Sequence, residues 1–127
     1  MQSYLDSFLF ACNGLRHAIA TERNLKLFAA GYVASIIVSL MLGISLVGWA
    51  FVLLSGGTFL AIELLNTAIE DFSDAFDTHT KKQDDLHYQA IKATKDIAAA
   101  AALMSALTWI VILAIVLLPP LLPLLGL

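Results

Sequence analysis

Glu63, Asn66, Glu70 and Asp74 are the residues whose types and spacing best suit chemistry. On an α-helix at 100° per residue they fall within an arc of about 80°, so one face carries three carboxylates and a carboxamide. Ile62, Leu64, Leu65 and Ile69 face elsewhere. An ionisable side chain at membrane depth costs about 2.5–3.5 kcal/mol even on insertion-based scales, so a function is the default explanation for one. The plainer alternative is a helix end emerging into water with solvated carboxylates. That suits Asp74 better than Glu63, which has apolar neighbours on both sides.

Acids of this kind suit Mg²⁺, a hard ion that takes one or two carboxylates together with substrate phosphates. A lysine near the metal, such as Lys95 with Asp96 beside it, neutralises phosphoryl oxygens. A carboxylate set back in the membrane can accept the proton of a lipid hydroxyl. Together these groups fit phosphoryl transfer from a soluble nucleotide to a membrane alcohol, where catalysis is mostly positioning and charge stabilisation. The same acids would also serve a cation or proton translocator. A third reading is an accessory membrane subunit whose polar stripe only holds helices together. The sequence has no P-loop, GxGxxG, nucleophile elbow or HExxH.

The elements that must position these residues are apolar. The 127 residues are 60% hydrophobic and 13% charged, unlike an ordinary water-soluble domain. No charge occurs from Leu27 to Ile62. A single helix of that length would measure about 54 Å against a hydrocarbon core of about 30 Å, so the chain must turn. Gly43, Ser45 and Gly48 supply the place. A third uncharged run, Ile97 to Leu118, crosses again, and Pro119 and Pro120 are expected to end it. The expectation is an all-α membrane protein of one domain, residues 1–127. An interfacial helix lies near 4–20 and spans lie near 25–46, 48–76 and 91–118.

All seven basic residues either precede span one or lie between spans two and three. The positive-inside rule then puts the N-terminus and the acidic stripe in the cytoplasm and the C-terminus outside. The N-terminus lacks the basic region and cleavage site of a signal peptide. The single cysteine, Cys12, excludes an intrachain disulfide. No nucleic-acid partner is expected.

Leu5, Phe8, Leu9, Cys12, Leu15 and Ile19 share an arc of about 120°, which makes the first helix amphipathic and suited to the membrane interface. Arg16 lies at the edge of that face. Thr21 is placed to cap the next helix, with Glu22 suiting its N-terminal dipole; Glu22 is alternatively a metal ligand. Ser35 and Ser39 in span one and Ala98–Ala102 in span three are small residues of the kind that mark close helix contacts in lipid. His79 and His87, with no cysteine nearby, do not make a zinc site, so the 78–89 loop reads as a solvated connector.

Four blocks resemble one family. They are Phe8-x-x-Ala11-x-x-Gly14-Leu15-Arg16, Thr21-Glu22-Arg23-Asn24, Glu63-Leu64-Leu65-Asn66-Thr67-Ala68-Ile69-Glu70, and Lys92-Ala93-Thr94-Lys95-Asp96-Ile97-Ala98-Ala99. In this order they are similar to the bacterial diacylglycerol kinase and undecaprenol kinase family of small integral-membrane lipid kinases. The resemblance runs from about Phe8 to Leu118.

It implies a homotrimer in the bacterial cytoplasmic membrane, with active sites built between subunits. ATP is the implied donor, a membrane lipid alcohol the acceptor and Mg²⁺ the cofactor. By motif, Glu63 matches the catalytic base, with Asn66 beside it, and Glu22 and Glu70 match the metal-holding pair. Lys95 and Asp96 match nucleotide contacts and Asp74 an acid lining the same site. Phe10 stands where some members carry a tyrosine against the base, and the resemblance places it and Arg16 of the first block, like Glu22 and Glu70, among the nucleotide-binding residues. The connector from Glu70 to Lys95 is longer than is usual in the family, so the role of His87 is left open. Thr21-Glu22-Arg23-Asn24 is closer to the undecaprenol-kinase branch, but the lipid is not readable.

Overall fold

The structure, a computed structural model, describes the backbone of residues 3–80 and 85–126 and the side chains of 3–76 and 88–126. Its elements are α1 (Tyr4–Thr21), α2 (Arg23–Leu42), α3 (Leu46–Thr80), α4 (Asp85–Leu121) and a closing 3-10 turn, Leu122–Leu125. Three stretches are long and apolar enough to cross a membrane: Arg23–Leu42, Leu46–Phe76 and Tyr88–Leu125. The side chains of Lys81, Lys82, His79 and His87 lie outside the described residues.

Local chemistry sets the boundaries. Ser3 caps α1: its Oγ accepts from the Asp6 amide, and the Asp6 carboxylate accepts from the Ser3 amide. This reciprocal arrangement satisfies two amides that would otherwise lack partners. One extended residue, Glu22, separates α1 from α2. Thr21 does not cap α2 as expected. Its hydroxyl donates to the His17 carbonyl at 3.0 Å and so closes α1. Helices end with unsatisfied carbonyls, and a threonine in the last turn reaches them more easily than the amides ahead. Lys26 completes the elbow by donating to the Ala20 carbonyl at 2.9 Å.

The turn between α2 and α3 is tighter than expected. Gly43 takes a left-handed conformation (φ 60°) that a side chain would disfavour, and the Ser45 hydroxyl accepts from the Gly48 amide. Gly48 therefore lies inside the first turn of α3 rather than in the connection. At the far end, α4 continues through Pro119 and Pro120 to Leu121, beyond the expected stop at Leu118. Each proline loses only its own amide bond while its fixed φ stays helical. The helix thus yields to the 3-10 turn just after them.

α3 and α4 make the most extensive contact, with α2 against both and α1 touching α2 and α3. An aromatic cluster fills the centre. Phe59 stacks on Trp109 with centroids 5.1 Å apart, and Phe28 meets Phe59 edge-on at 5.0 Å. Tyr32 packs edge-on to Trp109 and donates its hydroxyl to the Leu53 carbonyl. A Cβ on Gly56 would overlap the Tyr32 ring, so this glycine is what lets α2 and α3 approach. Ala98 and Ala102 turn inward, whereas Ile97, Leu103, Ile110 and Ile115 lie exposed. Ser35 and Ser39 are buried, with their hydroxyls bonded within their own helix. So much bare apolar surface requires a nonpolar solvent, which the bilayer supplies.

Candidate active site

α3 carries the site along one face. Glu63 is 8% exposed and Asn66 9% exposed, and one turn further Glu70 is half-buried. The Asn66 amide nitrogen donates to Glu70 Oε1 at 3.2 Å. Because an ionised carboxylate only accepts, this bond fixes which end of the carboxamide faces Glu70. The Asn66 Oδ1 is then left buried without a partner among the described residues. Buried polar atoms are seldom left so.

Glu63, Asn66 and Glu70 line a groove of about 270 Å³ with Asn24 and Phe28 of α2, Phe59 of α3, and Ala99, Ala102, Leu103 and Ala106 of α4. The alanines leave the space that larger residues would fill. Glu22, at the elbow between α1 and α2, is half-buried, and both it and Glu70 lie within electrostatic reach of Glu63. Among the described residues, no three carboxylates, histidines or cysteines converge closely enough to form a complete metal cage.

Further along α3, exposed Asp74 accepts a hydrogen bond from Lys95 at 2.7 Å, joining α3 to α4. Asp74, Lys95 and Asp96 line a second cavity of about 180 Å³ with Tyr88, Ile91 and Lys92. Phe10 and Arg16 are exposed on α1 and line neither cavity. A larger groove of about 660 Å³ between α3 and α4 holds no titratable side chain and so offers no acid–base or metal chemistry.

The chain was compared with known proteins. The prokaryotic diacylglycerol kinase family model matches residues 9–117. The chain belongs to the prokaryotic diacylglycerol kinase family. It is 32% identical over 121 residues to the undecaprenol kinase of Bacillus subtilis (strain 168), covering 95% of this chain and 93% of that protein. It is 34% identical over 120 residues to a diacylglycerol kinase of Synechocystis sp., covering 94% of this chain but 65% of that longer protein. The chain is therefore an integral-membrane lipid kinase, a phosphotransferase with several membrane passes. The kinase carries its polar stripe in two compartments: a groove lined by the buried Glu63 and Asn66, and a cavity lined by Lys95 and the exposed Asp74.

Sequence reasoning passed over Asn24, Phe28, Tyr88 and Lys92 as lining residues. Tyr88, Ile91, Lys92, Lys95 and Asp96 follow a helical i, i+3, i+4, i+7, i+8 pattern, a signal that appears once α4 is started at Asp85. Asn24 closes the second family block, but its place in the groove with Glu63 follows only from the packing of α2 on α3.

Proposed function

We propose that this kinase transfers the γ-phosphoryl group of ATP to the hydroxyl of diacylglycerol or undecaprenol at the cytoplasmic face of the bacterial inner membrane. The observation that carries the reading is the buried Glu63 in a groove, one turn from the Asn66–Glu70 pair and on the same helix as Asp74. Glu63 takes the proton from the lipid hydroxyl. The hydroxyl oxygen bonds to the γ-phosphorus, the bond to the β–γ bridging oxygen breaks, and ADP leaves with that electron pair. Glu70 and Glu22 would hold Mg²⁺, which supplies charge neutralisation on the phosphates. Lys95, held by Asp74, and the neighbouring Asp96 orient the nucleotide from the cytosolic end.

Asn66 keeps Glu70 in place through its amide. A homotrimer with shared sites is part of the proposal. Its support is that Phe10 and Arg16, which the resemblance gives to the nucleotide, lie outside both cavities of one subunit. The N-terminus faces the cytoplasm, with α1 on the membrane surface; the exposed Leu5, Phe8 and Leu9 support this placement.

Purified protein in mixed micelles is expected to consume Mg-ATP only when lipid alcohol is added, and to yield the phosphorylated lipid. Running diacylglycerol and undecaprenol side by side identifies the acceptor. Ion or proton flux in proteoliposomes without nucleotide, and no phosphorylated lipid, would instead favour a translocator.

A further inference from the structure

α2 and α3 run antiparallel from the Gly43 turn, and aromatic contact such as Phe28 on Phe59 dominates their shared surface. Lipid tails are as apolar as those side chains, so such a surface does not fix how far one helix has slid along the other. One contact is directional. The Tyr32 hydroxyl donates to the Leu53 carbonyl at 3.1 Å, and among the described residues this is the one hydrogen bond between α2 and α3. The Tyr32 ring enters the notch left by Gly56, where a Cβ would overlap it. Tyr32 is the tenth of the 20 residues of α2, so the bond lies near the middle of the span, where no water competes for either group.

We infer that Tyr32 is a positioning residue: its bond to Leu53 sets the axial register of α2 on α3 and thereby holds Glu22 level with Glu63. Glu22 lies ten residues from Tyr32, and Glu63 lies ten residues from Leu53, both toward the end of the bundle that holds the acids. Each path rises about 15 Å, so the bond brings the two acids to one level. The contact of Phe28 with Phe59, between the bond and the acids, keeps the same register, and Glu22 lies within electrostatic reach of Glu63. A slip of one residue would move Glu22 by about 1.5 Å relative to Glu63 and Glu70, which both ride on α3. Lys95 and Asp74 join α3 to α4 instead, and that join is independent of where α2 sits. The inference rests on the proposed metal pair, Glu22 and Glu70: each lies on a different helix, so register sets their separation.

The test uses the full-length protein in detergent micelles. Tyr32→Phe removes only the hydroxyl and leaves the ring in the Gly56 notch. It is expected to raise the Mg²⁺ concentration for half-maximal activity about 3–10-fold, the worth of one interhelical hydrogen bond in a membrane. KM for ATP at saturating Mg²⁺ should stay within about twofold. A second readout needs no turnover. In a Cys12→Ser background, spin labels on Leu27→Cys and Asp71→Cys, both at exposed positions, report the distance between α2 and α3. Diluting labelled chains in unlabelled protein isolates the distance within one chain. With Tyr32 in place that distance should be single and narrow; Tyr32→Phe should broaden or shift it. An unchanged distance would overturn the inference. So would a Mg²⁺ requirement that stays put in Tyr32→Phe but rises in Glu22→Gln, even if Tyr32→Phe unfolds more easily, since the bond would then be structural only. If Glu22→Gln and Glu70→Gln also leave the requirement unchanged, the metal reading has failed and the label distances alone decide the register.

Discussion

Asn66 donates to Glu70 across one helical turn, 3.2 Å from nitrogen to carboxylate oxygen. The bond lies within one helix, so it adds nothing to how the helices pack. Its effect is to hold one carboxylate in one place. Removing it with Asn66→Ala leaves Glu70 free to swing. The expected result is a loss of about 10–100-fold in activity or Mg²⁺ affinity, as is usual for a residue that orients a metal ligand. Asn66→Asp should be worse, because two carboxylates at i, i+4 repel. Titrating activity against Mg²⁺ for both variants checks the order.

Glu63 and Glu70 should fail in different ways. They lie about 10.5 Å apart along the axis of α3, the former buried and the latter half-buried. Glu63→Gln is expected to lower kcat about 10²–10⁴-fold, the range for a lost general base, with Mg-ATP binding intact. Glu70→Gln should weaken Mg-ATP binding and raise the Mg²⁺ requirement, with part of the turnover recovered at high Mg²⁺. Measuring kcat and Mg-ATP affinity for each decides it; a shared binding defect would merge the two roles.

The Lys95–Asp74 bond is expected to matter for turnover and little for stability. Both side chains keep substantial solvent contact, 32% and 66% exposed, and ion pairs in such settings contribute about 0–1 kcal/mol. Lys95→Met should raise KM for Mg-ATP while leaving resistance to denaturant nearly unchanged. A large stability loss would make the pair structural.

Gly56→Ala should do the opposite. The added methyl overlaps the Tyr32 ring inside a packed cluster, so α2 and α3 must part or the ring must move. The expected cost is about 1–3 kcal/mol in a reversible detergent-unfolding experiment. Tyr32→Leu in the same chain should restore part of it. If Gly56→Ala alone is neutral, the cluster is looser than its geometry indicates.

These experiments probe features of unequal visibility in the sequence. The stripe Glu63–Asn66–Glu70–Asp74 was legible because a helix turns periodicity into a face, and the spans were legible because lipid leaves little choice of backbone. The Thr21 cap was misjudged because one hydroxyl had two helix ends within reach. The stop at Pro119 was placed early because proline removes a donor without forbidding the helical φ. The place of Asn24 in the Glu63 groove, Tyr32 against Gly56, and Phe59 on Trp109 were invisible for a common reason. Each depends on contacts between residues far apart in sequence, which no local pattern encodes.

α3 is one helix of 35 residues, about 52 Å long, so the proposed mechanism would fix the proton-accepting end of the reaction and the nucleotide end to a single rod. Such a rod makes bilayer thickness a variable of catalysis. A membrane thicker by about 3 Å covers about two more residues of α3, drawing Glu70 toward hydrocarbon or forcing the helix to tilt. Under the proposed mechanism the enzyme would act as a gauge: the composition of the membrane it modifies would set the depth at which its own carboxylates meet the lipid hydroxyl.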